Sequence, residues 1–329
     1  MDNSQLGRTS LQVSKIGLGC SAFWGNKQFP ETRAHRLVYR AHERGVNLFD
    51  TGHNYSGYNA EPRLGKALHE LKKSHGRDSF IVSTKAGTTV ARSRILRTDK
   101  QVTTNFTPDY IEQTCLKSIQ NLRCDYLDIF QLHGIPVHAI SVDLITRLQK
   151  MKQSGICRYF GINTHDLGTL AFVIDNPEIF DVVLLDYNAI HQDREPFIEQ
   201  LSLHGLGVLA GTALAQGHLI DGKIGSLRSV ADIWYLARAI LKKEGRVLRH
   251  KAKTMRQYFV QCEGFTPAQL SLAFVLNNVH VSSVIFGTTR LQHLNELIDV
   301  IDKPIPADIL TDIIKFHQNE NGQSDHRHL

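Results

Sequence analysis

The sequence has little that would place it in a membrane or outside the cell. No apolar run approaches the roughly 18 residues of a membrane-spanning helix. The opening stretch "MDNSQLGRTS" is polar and lacks the apolar core of a secretion signal. The cysteines are odd in number, widely spaced and without a CxxC pair, which argues against a disulfide framework and favours reduced thiols. We therefore expect a cytoplasmic protein with no membrane partner.

The sequence also lacks a strong excess of charge and the common phosphate-binding loops. Its formal net charge of +6 is only mildly basic, whereas a nucleic-acid surface needs basic charge gathered on one face, so we expect no nucleic-acid partner. "GLGCSA" from Gly17 stands where GxGxxG would follow a first strand, and no GxxxxGK[ST] occurs. These absences argue against an open, doubly wound nucleotide-binding sheet.

What the chain does have is a regular alternation of short apolar runs and helical patterns. Apolar runs rich in β-branched residues predict eight buried strands: "KIGLG" from Lys15, "VNLFD" from Val46, "FIVSTK" from Phe80, "YLDIFQLH" from Tyr126, "YFGIN" from Tyr159, "VVLLDYN" from Val182, "GVLAGT" from Gly207 and "SSVIFG" from Ser282. Apolar residues at three- and four-residue spacing predict helices over Glu31–Arg44, Glu61–Ser74, Pro108–Leu122, Val142–Gln153, Leu167–Asp175, Phe197–Leu203, Thr266–Asn277 and Leu291–Val300. Thr107 before Pro108 is typical of a capped helix start.

Eight strands, each followed by a helix, are the number that closes a (β/α)8 barrel. We therefore predict an α/β TIM barrel, as a single domain over residues 1–317. Two short alternating runs in "SQLGRTSLQVS" predict a hairpin that plugs the barrel bottom. Residues 216–264 form a helical insertion between the seventh and eighth strands, and the polar segment 318–329 is predicted to be disordered.

Polar side chains mark the ends of three successive predicted strands. Asp50 ends the second strand, Lys85 the third and His133 the fourth, while Tyr55 lies just beyond Asp50. In a (β/α)8 barrel these ends meet on one rim, where the chemistry takes place. A phenol is a weak acid, but a nearby ammonium group favours the phenolate and lowers the phenol pKa. Such a tyrosine fits proton transfer to a carbonyl oxygen, or from an alcohol, while a cofactor carries hydride.

These motifs also resemble the aldo-keto reductase family. The resemblance rests on "GVNLFDTGHNYSGYNAEPRLGKAL", "VSTKAG" and "YLDIFQLHG", and it runs in order from "LGRTSLQVSKIGLG" to "SSVIFGTTRLQHLNEL". It implies a nicotinamide cofactor and no metal. It also implies catalytic roles: Tyr55 as acid or base, Lys85 as the partner that shifts its pKa, Asp50 as the anchor of Lys85, and His133 as the residue that orients the carbonyl.

The resemblance further implies a set of cofactor contacts, with some departures from the family pattern. The expected contacts are Asn163, Thr164, Leu214, Gly287, Thr288, Thr289, Arg290 and His293. Asn163-Thr164 replaces the usual Ser-Asn. Leu184 stands where a glutamine is common and Gly211 where an aromatic ring often stacks. Arg290 suits a 2′-phosphate, which favours NADP(H) slightly over NAD(H), although a surface arginine at a helix start remains the alternative.

Substrate recognition is less clearly marked. By its position in the family, Trp24 would line the substrate mouth, and the alternative is an aromatic packed beneath a loop. The insertion carries Trp234, Tyr235 and a Lys/Arg run, and it is expected either to cover the rim as a lid or to pack on the barrel side.

Two functions follow from these patterns. The first is an oxidoreductase acting on a small carbonyl or sugar substrate. The chain also resembles the aldose dehydrogenases of the family, which share a small residue near the position of Gly211. The second is a binding or regulatory module of the same fold with little or no activity. The sequence leaves the direction of reaction and the oligomeric state open.

Overall fold

The computed structural model describes the backbone of residues 3–91, 101–220, 243–301 and 303–325, with side chains for 3–89, 103–215, 217–220, 252–301 and 303–316. The strands are β1 Asn3–Gln5, β2 Gln12–Ser14, β3 Ile16–Gly19, β4 Leu48–Asp50, β5 Ile81–Ala86, β6 Thr88–Ala91, β7 Gln101–Thr104, β8 Leu127–His133, β9 Cys157–Asn163, β10 Val182–Asp186, β11 Gly207–Gly211 and β12 Ser283–Phe286. The helices are α1 Glu31–Glu43, α2 Ala60–His75, α3 Pro108–Leu122, α4 Val142–Gln153, α5 Leu167–Asp175, α6 Glu195–Leu203, α7 Lys243–Gln261, α8 Pro267–Leu276, α9 Leu291–Ile298 and α10 Ala307–Asp325.

Eight parallel strands close into a barrel in the order β3, β4, β5, β8, β9, β10, β11, β12. Each of these strands coincides with one of the eight apolar runs, so the predicted (β/α)8 barrel is confirmed. The strand register aligns the polar ends: Asp50 pairs with Ser83, Lys85 with Gln131, and His133 with Asn163. The predicted rim is therefore a continuous row of neighbouring positions.

The predicted helices agree with the observed bounds to within two residues at either end. Helix α3 begins at Pro108 as predicted, with Thr107 at the cap position, but the Thr107 side chain does not cap the helix. Its hydroxyl donates instead to Asn105 Oδ1 at 2.8 Å. Proline at the first position sets the helical backbone angle, so this helix starts without a side-chain cap.

The N-terminal hairpin of β1 and β2 is present and closes the bottom of the barrel. Leu6, Leu11 and Val13 are buried in a cluster separate from the strand–helix core. Their partners are inward-facing strand residues, including Leu48 and Leu209. Side chains alternate between the two faces of a strand, so one set fills the barrel and the other packs under the helices.

A second hairpin, β6 and β7, leaves the barrel directly after β5 and is not among the sequence predictions. Its strands pair antiparallel from Thr88 opposite Thr104 to Ala91 opposite Gln101. Both are four residues long, and no Asn-Gly or Asp-Gly turn lies between them, so the pattern is weak. The hairpin places Thr88 at the barrel rim.

The described part of the insertion packs on the side of the barrel. Helix α7 buries Ala252, Met255 and Phe259, and the Tyr258 hydroxyl donates to Asp312 Oδ2 of α10 at 3.0 Å. Residues 221–242, with Trp234 and Tyr235, lie outside the described residues. A lid role for that portion stays a prediction, as does the extent of the domain.

The C-terminal segment differs from the sequence prediction in its described part. Helix α10 runs to Asp325, so the backbone of 318–325 is helical where disorder is expected. Residues 326–329 lie outside the described part. Across the chain as described, no helix combines the length and apolarity needed to cross a membrane.

We predict that Leu6→Ala destabilises the fold without altering the rim. Leu6 is fully buried in the barrel floor, and removing a buried leucine side chain costs about 2–5 kcal/mol of unfolding free energy. Chemical denaturation would measure the loss. Leu116→Ala on α3, where the side chain is 43% exposed, is the matched control and should change the unfolding free energy by less than about 0.5 kcal/mol. Equal effects of the two substitutions would contradict the role of the hairpin as a floor.

Candidate active site

A buried ion pair between Asp50 and Lys85 lies at the rim of the barrel. The two residues are 5% and 1% exposed, and the Lys85 ammonium donates directly to Asp50 Oδ2. It also donates to the Thr51 carbonyl oxygen at 2.9 Å. The other carboxylate oxygen, Oδ1, accepts from Ser83 Oγ at 2.9 Å and from Gln131 Nε2 at 3.3 Å. Asp50 is therefore held by the neighbouring strands β5 and β8, and Lys85 by the loop after β4.

The ion pair keeps Lys85 charged despite its burial. Burial disfavours the ammonium form, but attraction to Asp50 and then to Tyr55 outweighs it, and the pKa of Lys85 is raised above its ordinary value. Without the Asp50 carboxylate, Lys85 would lose the larger of these two attractions, while the unfavourable effect of burial on its charged form would remain. Lys85 is therefore a fixed positive charge at the rim throughout the neutral pH range.

Tyr55 lies next to both this charge and His133. Its ring centroid is 5.4 Å from Lys85 Nζ and 5.7 Å from the His133 ring centroid, with the two rings edge to face. Gly52 makes room for the phenol, because a Cβ there would lie 3.0 Å from Tyr55 Cζ. The structure thus brings together the four residues that the sequence analysis selects, while their catalytic roles stay a prediction.

His133 is neutral at physiological pH. Burial disfavours the imidazolium, and the nearby charges of Lys85, His165 and His53 add to this effect, which lowers the pKa of His133 to about 3. Its Nδ1 lies 2.9 Å from the hydroxyl of Thr88. A neutral imidazole has one donor nitrogen and one acceptor nitrogen, so His133 can donate a hydrogen bond to a substrate without carrying charge.

His53 and Gln131 are neighbours of the site that sequence reasoning missed. His53 Nδ1 donates to the Lys85 carbonyl oxygen at 3.0 Å, and His53 Nε2 accepts from the Tyr110 hydroxyl at 3.3 Å. Burial lowers the pKa of His53. Gln131 bridges Ser83 and Asp50. The sequence could have indicated Gln131, because it lies two residues before His133 on β8 and therefore faces the same side of the strand.

The loops after β3 and β4 hold each other in a strained conformation. Ala22, Ser56 and Tyr58 have positive φ angles of 53°, 55° and 67°. The Ser56 hydroxyl donates to the Ala22 carbonyl oxygen at 2.6 Å. Strained backbone of this kind is costly and persists where the surroundings impose it. It fixes the course of the loop that carries Tyr55.

The first part of the expected cofactor site lies at the ends of β9 and β11. Asn163 Nδ2 and the Thr164 backbone N–H both donate to the Leu184 carbonyl oxygen, at 3.0 and 3.1 Å. Both side chains are buried, whereas Leu214 is half-buried against the core. A Cβ at Gly211 would make only ordinary contacts, with the Leu185 carbonyl oxygen at 3.5 Å and Leu184 Cδ1 at 3.6 Å.

The second part lies between β12 and α9. Thr288 Oγ1 accepts from the Arg290 backbone N–H at 3.2 Å, and Arg290 is the cap residue of α9, whose first turn includes His293. A Cβ at Gly287 would come within 3.2 Å of the Gly19 carbonyl oxygen, which brings this loop close to the rim. With Thr289, these residues form a helix N-terminus that suits a phosphate group.

Trp24 is fully buried in the strand–helix core. Its indole N–H has no hydrogen-bond partner among the residues that the structure describes. This placement agrees with the alternative of an aromatic packed beneath a loop.

As for metals, the described residues contain no group of three or more His, Cys, Asp or Glu side chains arranged to hold an ion.

We predict that His133 makes the fold less stable in acid. Below the unfolded histidine pKa near 6.5 the unfolded chain takes up a proton, whereas folded His133 does not until its pKa of about 3. Stability is therefore lost as pH falls through this window, by about 2 kcal/mol near pH 5. Denaturation of His133→Gln near pH 7 and near pH 5 should show a correspondingly smaller loss. The matched control, His204→Gln at the exposed end of α6, should keep the wild-type loss.

Comparison with known proteins places the chain in a family. Residues 15–317 match the model of the Aldo/keto reductase family. The chain is 28% identical to L-galactose dehydrogenase of Arabidopsis thaliana, over 88% of this chain and 85% of that protein. It is 25% identical to a putative voltage-gated potassium channel subunit beta of Schizosaccharomyces pombe, over 92% of this chain and 89% of that one.

A solved structure shows the same fold. The holo form of aldo-keto reductase AKR11C1 from Bacillus halodurans superposes with a TM-score of 0.76 over 96% of both chains, at 22% identity. The family match spans the closed barrel and the rim that carries Asp50, Tyr55, Lys85 and His133. The chain therefore belongs to the aldo/keto reductase family of NAD(P)-dependent oxidoreductases.

Proposed function

We propose that the protein reduces an aldehyde or ketone, or oxidises the corresponding alcohol, with Tyr55 as the proton donor or acceptor. The observation that carries this proposal is the position of the Tyr55 ring next to both the buried Lys85 ammonium and His133. Lys85 is held charged by Asp50, and its attraction to Tyr55 acts in both directions, so it favours the phenolate that proton transfer creates.

The protein's own groups perform the proton chemistry. Tyr55 gives its hydroxyl proton to the carbonyl oxygen in reduction and takes a proton from the alcohol in oxidation. Lys85 stabilises the phenolate, and Asp50 keeps Lys85 in place. Neutral His133 donates a hydrogen bond to the substrate oxygen and so orients it. The nicotinamide cofactor, when bound, supplies or accepts the hydride.

The residues present fit a nicotinamide dinucleotide. Asn163 uses its amide nitrogen on the Leu184 carbonyl, which leaves its amide oxygen to accept from a carboxamide. The N-terminus of α9, with Thr288 and Arg290, suits the phosphate of the adenosine half. A guanidinium at this position favours a 2′-phosphate and therefore NADP(H) over NAD(H).

The substrate is proposed to be a small carbonyl compound or a sugar. The likeness to a protein named L-galactose dehydrogenase supports an aldose as the substrate. The likeness to a putative potassium channel subunit supports the alternative of a binding module. Turnover assays with aldoses and NAD(P)+, and with small aldehydes and NAD(P)H, separate the two.

Tyr55→Phe is expected to abolish most of the turnover while leaving the fold and cofactor binding intact. The change removes only the hydroxyl, and general acid–base catalysis contributes roughly 10²- to 10⁴-fold in rate. Steady-state kcat on an active substrate measures the loss, with cofactor affinity followed by fluorescence. The matched control is Tyr39→Phe on α1, outside the rim, which should keep wild-type kcat. A Tyr55→Phe variant with wild-type turnover would refute the assignment.

Arg290→Ala is expected to weaken NADPH binding selectively. A charge-assisted hydrogen bond contributes about 1.5–3 kcal/mol, which corresponds to roughly tenfold or more in Kd for NADPH, while NADH lacks the 2′-phosphate and should bind nearly unchanged. Isothermal titration with both cofactors gives the two ratios. Arg33→Ala, on the exposed face of α1, should alter neither. Equal losses for both cofactors would show that Arg290 does not recognise the 2′-phosphate.

A further inference from the structure

The Thr88 hydroxyl joins the loop that carries Tyr55 to the strand that carries His133. Thr88 is the first residue of β6, and its Oγ1 lies 2.9 Å from His133 Nδ1 and 2.9 Å from Asn54 Nδ2. Asn54 directly precedes Tyr55, and its side chain is buried. Neither Thr88 nor Asn54 belongs to the residues that the sequence analysis selects.

The residue that precedes Thr88 fixes the course of the backbone there. The preceding residue, Gly87, has a φ of 109°, and its carbonyl oxygen accepts from the Asn105 N–H at 2.8 Å. A Cβ at Gly87 would collide with the Phe106 ring, at 2.0 Å from Cε1. Only glycine fits this position. The Thr88 hydroxyl therefore points from a well-defined backbone position.

The orientation of the Asn54 amide follows from its contact with a carbonyl. Asn54 Nδ2 lies 3.0 Å from the Thr88 carbonyl oxygen as well as 2.9 Å from Thr88 Oγ1. A carbonyl oxygen only accepts, so the amide nitrogen must face it. The reversed amide would set two acceptor oxygens against each other. Asn54 therefore donates both of its amide hydrogens to Thr88.

Among the described residues, one acceptor remains for the hydroxyl hydrogen of Thr88. Its oxygen accepts from Asn54, and within the described part of the chain its own hydrogen has no acceptor but His133 Nδ1. If Nδ1 carried a hydrogen, two donors would point at the hydroxyl oxygen, and its own hydrogen would have no acceptor among the described residues. We propose that Thr88 is a positioning residue that donates to Nδ1 of His133 and holds the imidazole in the tautomer with its hydrogen on Nε2.

The consequence for the chemistry rests on the proposed function. With Nδ1 occupied as an acceptor, Nε2–H is the donor that His133 offers to a substrate oxygen. The groups that face His133 are Tyr55, Lys85, His53 and His165, together with Thr88. The positive charge of Lys85 opposes a second proton on the ring, so the neutral Nε2–H form is the one that Thr88 maintains.

His53 has the opposite tautomer and serves as an internal reference. Its Nδ1 faces the Lys85 carbonyl oxygen at 3.0 Å, so Nδ1 carries the hydrogen and Nε2 accepts from Tyr110. One spectrum of the full chain, labelled with 15N in its histidines, should therefore contain both patterns. The signals are assigned by their loss in His133→Gln and His53→Gln.

The spectroscopic test needs neither substrate nor cofactor. Wild-type His133 should show a protonated Nε2 and a hydrogen-bonded, unprotonated Nδ1. Thr88→Val removes the hydroxyl at nearly constant shape and should shift the Nδ1 resonance to that of an imidazole nitrogen without a donor, whereas Thr88→Ser should restore it. Thr89→Val is the matched control, because Thr89 bonds to Thr103 across the hairpin and not to His133. A wild-type His133 protonated at Nδ1, or a Nδ1 signal unmoved in Thr88→Val, would overturn the proposal.

The kinetic test then asks whether the tautomer matters for turnover. Thr88→Val should lose about tenfold in kcat/KM for a carbonyl substrate, the effect of one hydrogen bond, with Thr88→Ser and Thr89→Val near wild type. Unchanged kcat/KM in Thr88→Val would overturn the positioning role. If the wild-type protein turned over no carbonyl while the spectra behaved as expected, the proposed function would fail and the tautomer assignment would stand.

Discussion

The buried ion pair of Asp50 and Lys85 is the interaction on which the rest of the site depends. Two charges withdrawn from water are costly unless their remaining hydrogen-bonding groups are satisfied. Here Ser83 and Gln131 donate to Asp50, and the Thr51 carbonyl accepts from Lys85. These partners come from β5, β8 and the loop after β4. The buried ion pair is therefore stable only when the barrel has closed and brought these elements together. Tyr55 and His133 therefore lie next to a positive charge, the Lys85 ammonium group, that is fixed in position.

That arrangement explains why the two rings differ in their electrostatic roles. A fixed cation favours the anionic form of a phenol and the neutral form of an imidazole. The same Lys85 therefore acts in opposite senses on its two neighbours, and it contributes to the lowered pKa of His133. Under the proposed function, this single buried charge would suit Tyr55 to exchange a proton and His133 to donate a hydrogen bond without exchanging one.

The sequence predicts the barrel and the four rim residues because both follow from local patterns. Buried strands read as short apolar runs, and the residues at their ends are brought together by closure alone. The hydrogen-bond partners of the rim residues are harder to predict, because they depend on which side chain of a neighbouring element lies within reach. Thr88 stands on a hairpin with a weak pattern, and His53 bonds to the carbonyl of Lys85, thirty-two positions away.

The floor of the barrel has a consequence for the order in which the chain folds. Leu6 lies near the start of the sequence, yet its cluster includes Leu209 and Ile285. During synthesis the hairpin is made before the strands that line its cavity, and the last of these, β12, comes about 270 residues after it. Contacts so distant along the chain form slowly, and apolar surface waiting for them is exposed to aggregation. The apolar side chains of the hairpin are therefore fully buried only once β12, the last strand of the barrel, is in place.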